Sequence, residues 1–278
     1  MNCEAMHLNI QLLGPLNVEL KATQMTPSAP KQRQVLALLA LNAGRVVTVS
    51  TLIEELWGDR PPRSYATTLQ TYVLQIRNAL AAALPGVPAV RGVLSTRHSG
   101  YQLEAGCRTD VEEFTRLANA GREAAEQGDH RVAAEQLGRA LRVWRGPALV
   151  DVGLGRVLEL EAASLEETRL GIFERRVEAD LALGRHNDML GELTLASARN
   201  PMNEILSAYL MIALYRSGHV GRALEVFHRL GSVLDEELGV APCARMQRLH
   251  AAMLSGDPAL ESPSWSTTQL YADLFSRT

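Results

Sequence analysis

Residues 61–103 limit the fold more than any other stretch of this chain. Pro61 and Pro62 stiffen the approach, and Ser64 is placed to cap a helix. Leu69, Val73, Ile76 and Leu80 then follow an i, i+4, i+7, i+11 spacing, which makes one apolar stripe. The opposite face carries Ser64, Thr67, Thr68, Thr71, Gln75 and Asn78, all polar and uncharged, with Gln70 and Arg77 at its flanks. Beyond the helix, Val93-Leu94-Ser95-Thr96 and Gly100-Tyr101-Gln102-Leu103 read as two short strands around a tip of Arg97, His98 and Ser99. A helix that is apolar behind and rich in hydroxyls and amides in front suits the edges of base pairs in a major groove. An ordinary amphipathic helix with a surface hairpin is the competing reading, and the preceding segment bears on the choice.

Leu8, Ile10 and Leu12, then Leu16, Val18 and Leu20, alternate on either side of Gly14-Pro15 and predict a small hairpin or meander. Residues 21–29 read as a polar loop. Pro30 opens a helix buried through Val35, Leu38 and Leu39 and ended by Asn42-Ala43-Gly44. Val46-Val47 is extended. Thr51 to Glu54 fits a capping box, with Ser50 the alternative cap, for a short helix buried through Leu52, Ile53, Leu56 and Trp57. Sheet, helix, short helix, long helix and hairpin in that order make a winged helix-turn-helix, with the long helix reading DNA and the hairpin as wing.

The segments "GRVVTVSTLIEELWGDRPPRSYATTLQTYVLQIRNAL" and "TRHSGYQL" resemble the OmpR-type DNA-binding domain, in the version carried by the Streptomyces antibiotic regulatory proteins. Gly106-Cys107-Arg108-Thr109 reads as a linker, and Asp110 as the cap of the next helix. Beyond it the chain is helical and repetitive. Gly128, Gly184 and Gly218 each separate two helices, and the last two lie 34 residues apart, the tetratricopeptide period. A longer helix over roughly 156–183 bridges the first pair to the second. "ALRVWRGPALVDV", "RRVEADLALGRH", "IALYRSGHVGRALEVF" and "LDEELGVAPCARMQRLHAAML" resemble the bacterial transcriptional activation domain of the same regulators. The expected fold is therefore mainly α with a small β component. Residues 1–105 form the winged helix, 110–255 a tetratricopeptide-like all-α domain, and 256–278 a tail in which Leu270, Tyr271, Leu274 and Phe275 have helical spacing.

Charge supports this division. Residues 1–105 hold nine Lys and Arg against six Asp and Glu, and residues 106–278 hold 19 against 25, so a basic segment precedes an acidic one within a net charge of −3. Cys3, Cys107 and Cys243 have neither zinc nor disulfide-framework spacing and fit reduced thiols in a cytoplasm. No signal peptide or membrane-spanning run is expected.

No motif supports catalysis, a cofactor or a metal. Gly153-Leu154-Gly155 lacks the strand and third glycine of a nucleotide loop. His130 and His186, at equivalent repeat positions, read as packing residues. Glu54-Glu55, Glu166-Glu167 and Glu236-Glu237 read as solvated charge. Thr67, Thr68, Thr71, Gln75 and Asn78 are the base-edge candidates, with Ser64 at the helix start. Arg63, Gln70, Tyr72 and Arg77 are the phosphate candidates, and Arg97, His98 and Ser99 the wing contacts. The family pattern often carries basic residues where this chain has Leu74 and Gln75, which implies weaker single-site binding. Leu74 either meets a thymine methyl or packs against the wing.

The resemblance implies a transcriptional activator for an antibiotic gene cluster. Its expected partners are double-stranded promoter DNA, RNA polymerase and a second copy bound head-to-tail on short direct repeats; no membrane is expected. Two other readings compete with it: a repeat scaffold whose winged domain binds protein, and an enzyme with a groove in the repeats.

Overall fold

The computed structural model describes residues 8–20, 23–83, 90–104 and 107–261. In chain order the elements begin with β1 (Leu8–Gln11), β2 (Asn17–Leu20), β3 (Thr23–Gln24), α1 (Pro30–Leu41), β4 (Val46–Thr48), α2 (Val49–Trp57) and α3 (Tyr65–Ala83). They continue with α4 (Val90–Val93), β5 (Leu94–Arg97), β6 (Gly100–Leu103), β7 (Arg108–Thr109), α5 (Asp110–Glu126), α6 (His130–Arg142) and α7 (Arg156–Ala182). The helices α8 (His186–Arg199), α9 (Glu204–Arg216), α10 (Val220–Leu238) and α11 (Ala244–Ser255) come next, with a 3-10 turn over Pro258–Glu261. The fold is mainly helical with a small β component.

Two compact units emerge, and they interleave along the chain. One combines Met1–Ala118 with Arg139–Leu170, the other Asn119–Gly138 with Gly171–Thr278.

In the first unit, β1 and β2 pair antiparallel with Ile10 opposite Val18, and their alternating residues fill the core. β3 extends β2, so part of the expected 21–29 loop is strand. On the other edge β7 runs parallel to β1, which completes a sheet of order β3-β2-β1-β7. The expected linker is therefore partly a strand. Asp110 does not cap α5. Thr109 Oγ1 accepts from the Glu112 amide at 3.1 Å while Glu112 Oε2 accepts from the Thr109 amide at 3.2 Å, a reciprocal capping box. The Asp110 carboxylate instead accepts from the amides of Leu12 at 2.7 Å and Leu13 at 2.9 Å.

The second sheet, β4-β6-β5, carries the hairpin. Val93, expected as strand, closes the helical turn α4. The cap of α2 is Thr48, nearer the N-terminus than expected, because β4 runs directly into the helix. Its extended backbone lets Oγ1 accept from the Thr51 amide at 3.1 Å. Leu69, Val73, Ile76 and Leu80 of α3 are each about 1% exposed in one core with Leu36, Leu39, Leu52 and Leu94. Each such side chain contributes roughly 1.5–3 kcal/mol of burial.

Glu55, expected in solvent, is buried. It sits three residues after Leu52 and one before Leu56, on the apolar face of α2, and its carboxylate meets the first turn of α7. Glu54 stays exposed. Leu149, Val152 and Leu158 enter the same core as the winged helix. Trp144 packs edge-on to Phe114 at 5.5 Å and under the Arg169 guanidinium at 4.6 Å. Glu166 is half-exposed and accepts from the Ala148 amide at 2.8 Å, so only its neighbour Glu167 is plain solvated charge.

The second unit stacks antiparallel helices. Gly128, Gly184 and Gly218 all adopt the left-handed backbone between helices that their repeat spacing suggests. Ala133, Leu137, Met189, Leu193, Ala223 and Leu230, at matching repeat positions, are buried. His130 and His186 begin α6 and α8 and are half-buried. Arg216 of α9 donates to the carbonyls of Leu181 at 3.1 Å and Leu260 at 2.8 Å, which holds the 3-10 turn in place. The expected helix through Leu270, Tyr271, Leu274 and Phe275 lies outside the described residues. Among the described residues no helix is long and apolar enough to cross a membrane. Nor do three or more His, Cys, Asp or Glu side chains among them converge as a metal site.

Candidate nucleic-acid interface

The buried stripe of α3 fixes which side of the helix faces outward. Thr67, Gln70, Thr71, Leu74, Gln75 and Asn78 are exposed, while Thr68, Tyr72 and Arg77 are half-buried at the margins. At the helix start Arg63 and Ser64 are exposed, and the Ser64 hydroxyl lies 3.4 Å from that of Thr68. Leu74 is 55% exposed, so it does not pack against the wing.

Two of the polar groups are already oriented from within the protein. Thr71 Oγ1 donates to the Thr67 carbonyl at 2.9 Å, so toward solvent the hydroxyl presents its accepting side. Gln75 Oε1 accepts from Gln32 Nε2 of α1 at 2.6 Å, which leaves the Gln75 amide hydrogens available as donors. One acceptor and one donor one helical turn apart form a base-edge pattern, not a charge trap. Sequence spacing does not reveal the Gln32 support, because Gln32 lies 43 residues away in the first turn of another helix.

Arg77 ties the wing to α3. Arg77 donates through Nε to the Leu94 carbonyl at 2.8 Å and through Nη2 to Thr96 Oγ1 at 2.8 Å, and its guanidinium lies 6.0 Å from the Tyr101 ring centre. The structure thus gives Arg77 a positioning job that its place at the flank of the stripe does not announce. Arg97 Nε donates to Gln102 Oε1 at 2.6 Å, and Gln102 Nε2 to the Gly44 carbonyl at 2.8 Å. His98 and Ser99 form the exposed tip, and the Ser99 carbonyl accepts from the Val49 amide at 3.0 Å, which ties the tip to the start of α2. The thirteen residues singled out from sequence fall into two groups, one along α3 and one on the wing, all exposed except half-buried Thr68, Tyr72 and Arg77. Exposed Arg45 and Arg60, in the turns before β4 and α3, add positive charge that the sequence pattern does not single out.

Sequence reasoning also missed the carboxylates behind this face. Asp110, Asp151 and Glu55 each accept backbone amides far away in sequence: Leu12 and Leu13, Leu16, and Gly155 with Leu158. Asp151 also pairs with Arg33 of α1. Burial pushes the Asp110 carboxyl above its ordinary range, against the opposing pull of the Leu12 and Leu13 amides and of Arg145. The signal available in sequence was Glu55 itself, a lone acid in the apolar register of a short helix.

Comparison with known proteins gives a consistent picture. Residues 23–103 match the family "Transcriptional regulatory protein, C terminal", and residues 109–254 match "Bacterial transcriptional activator domain". The chain is 48% identical over 258 residues to the regulatory protein DnrI of Streptomyces peucetius, covering 91% of this chain and 94% of that one. It is 36% identical over 267 residues to the transcriptional regulator RedD of Streptomyces coelicolor, covering 95% and 75%. Among solved structures, Mycobacterium tuberculosis EmbR in complex with a low-affinity phosphopeptide superimposes with a TM-score of 0.85 at 32% identity. That match covers 97% of this chain and 70% of EmbR.

Proposed function

This chain belongs to the Streptomyces antibiotic regulatory protein family of DNA-binding transcriptional activators, and we propose that it reads promoter DNA through the exposed face of α3. The observation that carries this reading is the pairing of a fully buried stripe with an exposed front of Thr67, Thr71, Gln75 and Asn78. Hydroxyls and amides on a rigid helix discriminate base edges, because each mismatched donor or acceptor is left unpaired in the groove. Leu74 supplies an apolar contact for a thymine methyl. Arg63, Gln70 and Tyr72 fix the helix on the phosphates, and the wing lays Arg97, His98 and Ser99 on the neighbouring backbone or minor groove.

The charge excess on residues 1–105 is small, so a single copy binds weakly and two copies on direct repeats bind cooperatively. A repeat spacing of about 10–10.5 bp sets both copies on one face of the duplex. The helical segment 110–255 then meets the second copy and RNA polymerase, in the cytoplasm where the genes lie. Regulation of a secondary-metabolite cluster fits the likeness to DnrI and RedD.

The test is binding of Thr71→Ala/Gln75→Ala to the promoter duplex and to a shuffled duplex. Each lost contact should cost about 1–3 kcal/mol on the promoter and little on the shuffled sequence. Retention of full promoter preference by the double variant rules out this face.

A further inference from the structure

α7 begins without a side-chain cap of its own, since Gly155 precedes Arg156. The first amides of a helix need acceptors. Here one acceptor comes from the helix-turn-helix itself. The Glu55 carboxylate of α2 accepts from the Gly155 amide at 2.7 Å and from the Leu158 amide at 2.9 Å. Gln34 Nε2 of α1 donates to Glu55 Oε1 at 2.7 Å and to the Glu55 carbonyl at 2.9 Å. Glu55 is 2% exposed. All of these donors are uncharged, and the carboxyl group lies at the positive end of a 27-residue helix. Gly155 fits the seat tightly: a Cβ there would stand 2.0 Å from the Glu55 carbonyl oxygen and 2.8 Å from Oε1.

We propose that Glu55 is a positioning residue that couples operator reading to activation by seating the first turn of α7 on the helix-turn-helix. The inference rests on the DNA-reading role of α3 but uses none of its contact residues. The Glu55 hydrogen bonds run to Gln34 of α1 and to the Gly155 and Leu158 amides. α3 is held by its own stripe, and the wing by Arg77, Gln102 and the β4-β6-β5 ladder. Loss of the seat therefore leaves operator binding in place and frees the start of the long helix. A neutral amide at position 55 does not restore it. One oxygen replaces two, and an amide N–H would face a backbone N–H.

The experiment uses full-length protein carrying Glu55→Gln, and separately Gly155→Ala, which disturbs the same seat from the other side. Operator affinity is read on a fluorescent promoter duplex, activation by run-off transcription with RNA polymerase, and the seat by hydrogen exchange at the Gly155 and Leu158 amides. The expected result in both variants is exchange at those amides at least tenfold faster, operator Kd within threefold of wild type, and transcription reduced at least tenfold. Two results overturn the proposal. In one, operator binding, transcription and melting temperature collapse together, which reduces Glu55 to a core carboxylate. In the other, transcription stays at the wild-type level although the amides exchange freely. A wild-type protein that shows no promoter preference would instead count against the DNA-reading role, so the two failures are separable.

Discussion

At the scale of single residues, the proposed base contacts are neutral groups whose hydrogen bonding is already directed. Thr71 turns its proton back to its own helix, and Gln75 is steadied by Gln32. Arg77 works differently. With two donors on β5, it sets where the wing lies relative to the helix. Arg77→Ala should therefore weaken binding to promoter and shuffled duplexes alike, with preference retained, as measured by anisotropy on both. Loss of preference without loss of affinity would contradict that role. Asp110 gives a pH signature. Its carboxyl sits above the ordinary 3.8, chiefly through burial, so the folded state takes up this proton more readily than the unfolded chain does. Its relative contribution is then greatest below 3.8 and falls away as pH rises through the raised folded value. Urea unfolding of wild type and Asp110→Asn should show the wild type gaining on the variant as pH drops toward 3.8. A widening wild-type deficit would contradict the sign.

At the scale of elements, the periodic ones were legible in the sequence. The stripe of α3, the alternation of β1 and β2 and the glycine spacing of the repeats each report which face is buried. Burial of a face leaves a periodic trace. The seats between distant segments were not legible, because a carboxylate meeting an amide 98 or 100 residues away leaves no period behind. This explains why Glu55 read as solvent charge, Asp110 as a cap and Arg108-Thr109 as linker. It also explains why the exposed face of α3 was legible and Gln32 behind it was not. The capping box of α5 gives a direct check on how that helix starts. Thr109→Ala should cost about 0.5–2 kcal/mol in urea unfolding. Asp110→Ala, by contrast, should loosen the β1–β2 turn, seen as faster exchange of the Leu12 and Leu13 amides. In the second unit His250 stacks on Phe227 at 4.0 Å and lies 5.5 Å from His228. Burial, and then the charge of His228, hold its pKa below the ordinary 6.5. Its contribution to stability is complete above 6.5 and is lost as pH falls through the folded value. His250→Phe keeps the stack and should flatten that acid-side loss in a melting series from neutral to mildly acid buffer.

At the scale of the whole molecule, the compact unit that holds the winged helix includes segments beyond residue 105. The strand β7, the start of α5 and the stretch from Arg139 to Leu170 belong to the same compact unit as the sheets and α3. The core that backs α3 also holds Leu149, Val152 and Leu158. A chain cut after residue 105 should therefore melt well below the full protein, because it loses β7, the Asp110 seat and these three side chains together. The central claim is that the front of α3 lies in a major groove. Dimethyl sulfate protection tests it most directly, because the reagent methylates guanine N7 in the major groove and adenine N3 in the minor. The account predicts protected guanine N7 in two direct repeats about 10–10.5 bp apart, with that protection lost in Thr71→Ala/Gln75→Ala. Guanine protection that persists unchanged in the double variant, or protection confined to adenine N3, would contradict it.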